Sequence, residues 1–416
     1  MIQTILSVRS ILAAIFIMMI GAGYLGTLIP LRLQNARADA FTIALLTTAY
    51  FAGLTAGSLR VPTIVNRVGH IRAFAAFVSL FSATALCYAL LHSAPLWTVL
   101  RLIDGFCVAG VFVCLESWLN DRGEAGSRGT ILAAYMSALY LGQAAGQQLL
   151  NLGSGTSAIG FVLASIPISL AVIPVALTRM SAPPLQEHRF LSVGRLYRAS
   201  PLGFVGAIVS GIFLGAFYGL GAAYARRIGM SVSDTALFMT VVILGGVVLQ
   251  WPLGRLSDAF DRRRIIVITL AGCLAVTLPL ALAASGAVQL MLAAAFGGLS
   301  FALYPLSVGH TNDHLAPALR VPASGVLVLL YSLGAAAGPL LAAGTMTLAG
   351  PGGLFAALSA CAGAALIFAF WRQAARPPVP LEQQQPYRAL PRTTPVAALV
   401  DDGQPPLPDD DDRRVR

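Results

Sequence analysis

The chain has 416 residues, 57% of them hydrophobic and only 11% charged, with a formal net charge of +10 and a mean hydropathy of +0.78. A soluble domain carries roughly 25% charged residues, and here the apolar residues run in blocks of about 20, the length that crosses a hydrocarbon core about 30 Å thick. The composition therefore excludes a secreted disulfide scaffold, a cytosolic enzyme and a nucleic-acid binder, and leaves an all-α polytopic membrane protein.

Twelve spans are predicted. Six lie near 10–31, 41–65, 71–91, 96–119, 130–151 and 158–178, and six near 202–222, 234–254, 265–284, 288–309, 322–344 and 351–371. They divide the chain into an N-terminal six-helix bundle over 1–180, a polar and basic linker over 181–199, a C-terminal six-helix bundle over 200–372 and a tail over 373–416. The tail is rich in Pro and Gln and ends in a run of Asp followed by Arg, so its composition predicts disorder. The first span follows Arg9 and resembles a signal peptide, but its apolar run is too long for one and it is read as an uncleaved helix.

Arginine placement sets the orientation, because basic residues concentrate on the cytoplasmic side. All 27 basic residues are Arg. With both termini cytoplasmic, the inner loops carry Arg60, Arg67, Arg72, Arg255, Arg262, Arg263 and Arg264 among others, whereas the outer loops hold only Arg32, Arg37, Arg226 and Arg227. The expected location is a cytoplasmic (inner) membrane of bacterial type.

The halves resemble one another. A shift of 192 residues lays Gly23 on Gly215, Gly53 on Gly245, Gly105 on Gly297, Gly142 on Gly334, Gly146 on Gly338 and Gly160 on Gly352. It also superposes Asn120-Asp121 on Asn312-Asp313 and Arg72 on Arg264. Two copies in the same orientation describe a transporter built from parallel bundles with its site between them.

Within the spans, ionisable groups are costly and mark functional candidates. Arg101 and Asp104 stand three apart in the fourth span and share a helix face. Glu116 lies deeper in the same span, near its inner end, and His310 stands at the matching end of the tenth. Arg101, Asp104, Glu116 and His310 are the candidates for substrate binding or proton coupling. For Arg101 and Asp104 the alternative is a static pair that locks packing. Candidates to line a cavity are Tyr24, Tyr135, Gln143, Gln147, Tyr218, Gln250, Trp251, Tyr304 and Tyr331. The five Cys (Cys87, Cys107, Cys114, Cys273, Cys361) sit in apolar runs without a CxxC or Cys/His cluster, so no metal or cofactor is expected.

The loop after the eighth span reads Gly254-Arg255-Leu256-Ser257-Asp258-Ala259-Phe260-Asp261-Arg262-Arg263-Arg264. It resembles the signature loop of the major facilitator superfamily, a gating element. A weaker counterpart follows the second span, with Asn66, Arg67 and Gly69; Asn66 stands where the superfamily has an acid. Arg101 to Gly105 resembles the superfamily's R-x-x-x-G element, whose Arg is associated with proton coupling. For Glu116 the resemblance implies an inner-gate role ahead of substrate or proton binding. Longer strings, among them Thr27 to Leu31, Gln250 to Leu256 and Leu303-Tyr304-Pro305, resemble its YcaD-type branch.

The resemblance implies twelve transmembrane helices in two parallel six-helix bundles. It implies a secondary active transporter, not an enzyme, moving a small organic solute by alternating access. Without Lys no nucleotide-binding loop of the GxxxxGK[ST] type exists, so an ion gradient is the expected driving force and the proton the expected ion. The expected partners are the solute, the proton and the lipid bilayer, with no nucleic acid, and the expected state is a monomer. The rival is a transporter-like receptor or assembly factor that binds a ligand without moving it. Topology gives a direct check: alkaline phosphatase fused after Arg226 is expected to be active and after Gln186 inactive, and the reverse pattern would invert the model.

Overall fold

In a computed structural model, residues 2–91, 93–122, 128–153, 157–178, 191–282, 286–375, 378–388 and 392–393 are described. Lipid offers backbone groups no hydrogen-bond partner, so each span must satisfy its own, and the described residues are helical almost throughout. The first half comprises α1 (Arg9–Asn35), α2 (Ala40–Val68), α3 (His70–Leu90), α4 (Ala94–Arg122), α5 (Arg128–Gln147) and α6 (Ile159–Leu170, continued by Val172–Ala176). The second comprises α7 (Pro201–Arg227), α8 (Val232–Ala259), α9 (Arg262–Ala281), α10 (Gly286–Asn312), α11 (Pro317–Ala349) and α12 (Gly353–Ala375). Eleven of these are long and apolar enough to cross a membrane. The twelfth, α5, has 20 residues and is diluted by Arg128, Gln143, Gln147 and its small residues. The break in α6, at Ala171, falls three residues before Pro174, which has no amide for the Leu170 carbonyl and crowds it.

Helix starts follow the repeat. Asp39 caps α2 by accepting from the Thr42 amide at 2.6 Å. Ser231, 192 residues on, caps α8 in a capping box with Asp234. The turn between α2 and α3 is the single residue Gly69, at φ +88°, a left-handed conformation that glycine adopts without a Cβ penalty.

The repeated glycines are where helices cross. In the first half α2 packs on α4 and α1 on α5; in the second α8 packs on α10 and α7 on α11. A Cβ on Gly53 would run into the Leu102 carbonyl oxygen, and one on Gly105 into the Tyr50 carbonyl; 192 residues later Gly245 meets Ala294 and Gly297 meets Val242 in the same way. Gly142 and Gly146 lie against the carbonyls of Phe16 and Ile20, and Gly334 and Gly338 against those of Ile208 and Ile212. Small residues let backbones approach where no water-driven effect pulls helices together.

The halves meet through α2 against α11, α1 and α2 against α7, and α5 against α8. Hydrogen bonds cross the seam from Thr48 to the Ala336 carbonyl at 2.8 Å, from Tyr218 to Gln143 at 3.2 Å, from Gln148 to Thr240 at 2.9 Å and from Arg227 to Gln34 at 2.7 Å. All four lie in the half of the molecule that carries Arg32 and Arg226; that end is called outer below, and the end with the Gly254–Arg264 loop inner.

One expectation needs revision, and the linker is described in part. Part of the 181–199 linker is a short helix, Val193–Ala199, capped by Ser192, while 179–190 lies outside the described residues. The tail was expected to be disordered. Its described part instead holds a 3-10 turn at Leu381–Gln383, and Arg392 is 7% exposed. Composition forecasts only that such a segment cannot build its own core; here it borrows one. The expectation for 394–416 lies outside the described residues.

The crossings are testable by thermal melting of the purified protein. Gly53→Val forces a branched side chain onto backbone and is expected to cost at least the ~1–3 kcal/mol of ordinary overpacking. Gly344 has nothing within 4 Å of its would-be Cβ, so Gly344→Ala is expected to hold or raise Tm. A Gly53→Val protein melting like the unaltered chain would remove the glycines from the account.

Candidate functional site

A cavity of about 150 Å³ opens between the two halves. Its wall draws Thr47, Tyr50, Arg101, Tyr140 and Gln143 from the first half and Tyr218 and Tyr331 from the second. At 1.5 Å per residue, Tyr140 and Tyr331 lie roughly 20 Å from the inner ends of their helices, near mid-membrane. The cavity is large enough for a molecule of about benzene's size, and its wall mixes aromatic side chains with aliphatic and small ones.

Arg101 and Asp104 do not form a simple pair. Asp104 is fully buried and accepts from Thr84 at 2.5 Å and Tyr88 at 2.6 Å, both on α3, whereas the Arg101 guanidinium stands 3.5 Å away. The freed face of Arg101 lies 4.3 Å from the centroid of the Tyr50 ring, a cation–π contact, and lines the cavity. Two hydroxyls thus hold the carboxylate while the arginine leans into the cavity. Sequence reasoning missed Thr84 and Tyr88; their signal was four-residue spacing on one face of α3, which places two polar groups together.

The signature loop is organised by Arg262, 1% exposed. Its guanidinium donates to Asp313 at 2.6 Å and to Asp258 at 3.4 Å, tying the end of α8 and the start of α9 to the segment after α10. Burial pushes the Asp313 carboxyl above the usual carboxylate range, with Arg262 pulling it back. Arg263 bonds Asp261 at 3.0 Å, and Arg255 lies 4.2 Å over the Trp251 ring. In the first half, the position 192 residues before Arg262 is His70, buried and 5.8 Å from Trp118, centroid to centroid. Asn66 and Arg67 are exposed beside it.

The remaining candidates scatter. Gln143, Tyr218 and Tyr331 line the cavity, and Tyr304 stands behind Tyr331 in an edge contact at 5.4 Å. Glu116 is 1% exposed and accepts from the Thr393 hydroxyl of the tail. Tyr24 is buried between α1 and α6, its hydroxyl against Gly153 and Gly160. Gln147 donates to the Gly23 carbonyl at 3.0 Å, a helix-packing bond. Tyr135 and Gln250 are buried away from the wall. His310 faces His314 with ring nitrogens 3.1 Å apart and is not part of the wall. Trp251 departs furthest from expectation: it is 64% exposed on the outside of α8, because an aromatic residue in an apolar helix serves the lipid-facing surface as readily as a cavity. Among the described residues no group of His, Cys, Asp and Glu could hold a metal ion.

The comparisons agree with this architecture. Residues 202–400 match the model of the Major Facilitator Superfamily. An "Uncharacterized MFS-type transporter YcaD" from Salmonella enteritidis PT4 (strain P125109) is 28% identical over 338 residues, 81% of this chain and 88% of the relative. Among solved structures, a mutant of the nucleoside transporter NupG superposes with a TM-score of 0.72 at 12% identity, covering 88% of this chain and 99% of its own. A bacterial homolog of the human lysosomal transporter Spinster gives 0.71 at 14% identity over 91% and 98%. The fold is that of membrane transporters.

The loop makes a ranked prediction for thermal melting. Asp313→Ala strands Arg262 in a buried position, a change expected to cost about 3–5 kcal/mol. Asp258 has a side chain 43% exposed, so Asp258→Asn is expected to cost less than about 1 kcal/mol. Equal melting of the two variants would mean that Arg262 does not depend on Asp313.

Proposed function

We propose that this chain is a member of the major facilitator superfamily and a secondary active transporter that carries a small organic solute across a cytoplasmic membrane by alternating access. The observation that carries the reading is the cavity near mid-membrane, whose wall is shared between two bundles joined toward the outer end. A site split between two rigid bodies is exposed to one side or the other as they rock. The same wall holds Arg101, and Arg101 reaches a carboxylate that could exchange it for a proton.

Proton coupling is assigned to Asp104 on chemical grounds. A buried carboxylate favours its neutral form unless donors compensate. Thr84 and Tyr88 compensate permanently, whereas Arg101, at 3.5 Å, is the partner able to leave. Solute entering beside Arg101 and Tyr50 would displace the guanidinium from Asp104, and without that neighbouring charge the carboxylate takes up a proton more readily. Solute occupancy and protonation are then linked through one side chain, as coupling requires.

The test is transport in proteoliposomes, with a radiolabelled solute chosen by thermal-shift screening of a metabolite library. The unaltered chain is expected to show counterflow and accumulation driven by a pH gradient. The double variant Arg101→Met, Asp104→Leu removes both charges together, so no unpaired ion is left behind. It is expected to insert and to lose gradient-driven accumulation at least tenfold. Accumulation by the double variant would move the coupling role to Glu116. Absence of counterflow with every stabilising solute would end the transport reading.

A further inference from the structure

The described residues of the tail, 378–388 and 392–393, lie at the inner end of the molecule and at the cavity. At the signature loop, Gln385 accepts from Arg262 through its carbonyl oxygen at 2.5 Å, donates its amide to Asp313 at 2.8 Å and receives Arg320 on its side chain at 3.1 Å. The Tyr387 amide donates to Asp258 at 2.7 Å, and the Tyr387 ring fills the space beside Gly254 that a Cβ would take. Arg392 and Thr393 then form part of the cavity wall.

The surroundings of Arg392 are those of a built cation site. Its guanidinium carbon lies 4.7 Å from the Phe301 ring centroid, 5.9 Å from that of Tyr331 and 6.0 Å from that of Tyr140. Ring faces attract cations, the more so where water is excluded. One guanidinium nitrogen donates to the Phe301 carbonyl oxygen at 2.9 Å. That oxygen is available for a sequence reason: its helical partner would be the amide four residues on, and residue 305 is proline, which has none. Glu116 lies next along the tail, on the Thr393 hydroxyl. The ring faces, a freed carbonyl and a carboxylate turn negative charge or π density toward the guanidinium. Because Tyr140 comes from one bundle and Phe301 and Tyr331 from the other, a cation held here bridges the two.

We infer that the Tyr140–Phe301–Tyr331 cage is the substrate subsite for a small organic cation with a guanidinium-type head, and that Arg392 of the tail is its resident competitor. This deepens the transport reading above and rests on it. A flat group with several N–H donors matches the cage and the Phe301 carbonyl together, which a compact ammonium does less well. When a solute cation displaces Arg392, the tail loses its innermost anchor, so substrate level and tail release are linked.

The test uses the purified full-length chain and two probes, N-acetyl-arginine methylamide and its uncharged counterpart N-acetyl-citrulline methylamide. By titration calorimetry, Arg392→Gln is expected to bind the arginine derivative at least tenfold more tightly than the unaltered chain, with no binding of the citrulline derivative by either. Adding Pro305→Ala restores an amide to the Phe301 carbonyl and is expected to weaken that binding severalfold. Equal affinity with and without Arg392, or equal affinity for the two probes, overturns the assignment. A second measurement needs no variant: chymotrypsin cleavage after Tyr387 in the unaltered chain is expected to quicken with the arginine derivative and not with the citrulline one, and an unchanged rate also overturns it. Cation binding without counterflow of any solute would keep the site and sink transport. Counterflow with no preference for cations would do the opposite.

Discussion

The close approach of helix backbones at paired glycines is the constraint on which everything else depends. In lipid, apolar side chains gain nothing by meeting one another, so association rests on packing and on groups small enough to permit it. The contacts of Gly53 and Gly105 between α2 and α4, and of Gly245 and Gly297 between α8 and α10, bring these helices closer than any larger residue allows. Tyr50, whose carbonyl meets Gly105, belongs to the same crossing as Arg101. The position of the cation–π contact in the cavity is therefore fixed by a glycine one turn further along the same helix face.

The repeat also explains where the two halves differ. Asn66, His70 and Asp121 in the first half stand where Asp258, Arg262 and Asp313 stand in the second. The second half has a buried guanidinium between two carboxylates; the first has a buried imidazole tilted against Trp118. One copy is a charged clasp and the other an aromatic one. The tail engages the charged copy, where Asp258, Arg262 and Asp313 offer main-chain partners to Gln385 and Tyr387.

Much of this was legible beforehand because it follows from period and spacing. The twelve helices, the parallel bundles and the glycine register come from apolar run length and a fixed shift, both of which depend on local chemistry alone. Arg101 and Asp104 were visible because charge in an apolar run is conspicuous. What stayed hidden depends on contacts between distant segments. Thr84 and Tyr88 are ordinary residues until α3 is laid against α4. Trp251 and Tyr304 have the same sequence signature, an aromatic residue in an apolar helix, yet one faces outward and the other stands behind the cavity wall. Arg392 was hidden most thoroughly, since a proline-rich tail carries no periodicity from which burial can be read.

Among the described residues three arginines are buried, and the way each is held decides what it can do. Arg262 has two carboxylates and cannot leave without stranding them, so it serves as a fixed clasp. Arg101 shares one carboxylate with two hydroxyls that remain if it moves, so it is free to shift within the cavity. Arg392 has no ion pair among the described residues; rings, one carbonyl and its place on the chain hold it. A desolvated cation with no carboxylate in direct ion-pair contact is the one most readily exchanged, because its departure breaks no salt bridge. The same reasoning requires its replacement to be a cation, since the rings and the Phe301 carbonyl remain turned toward the space it vacates.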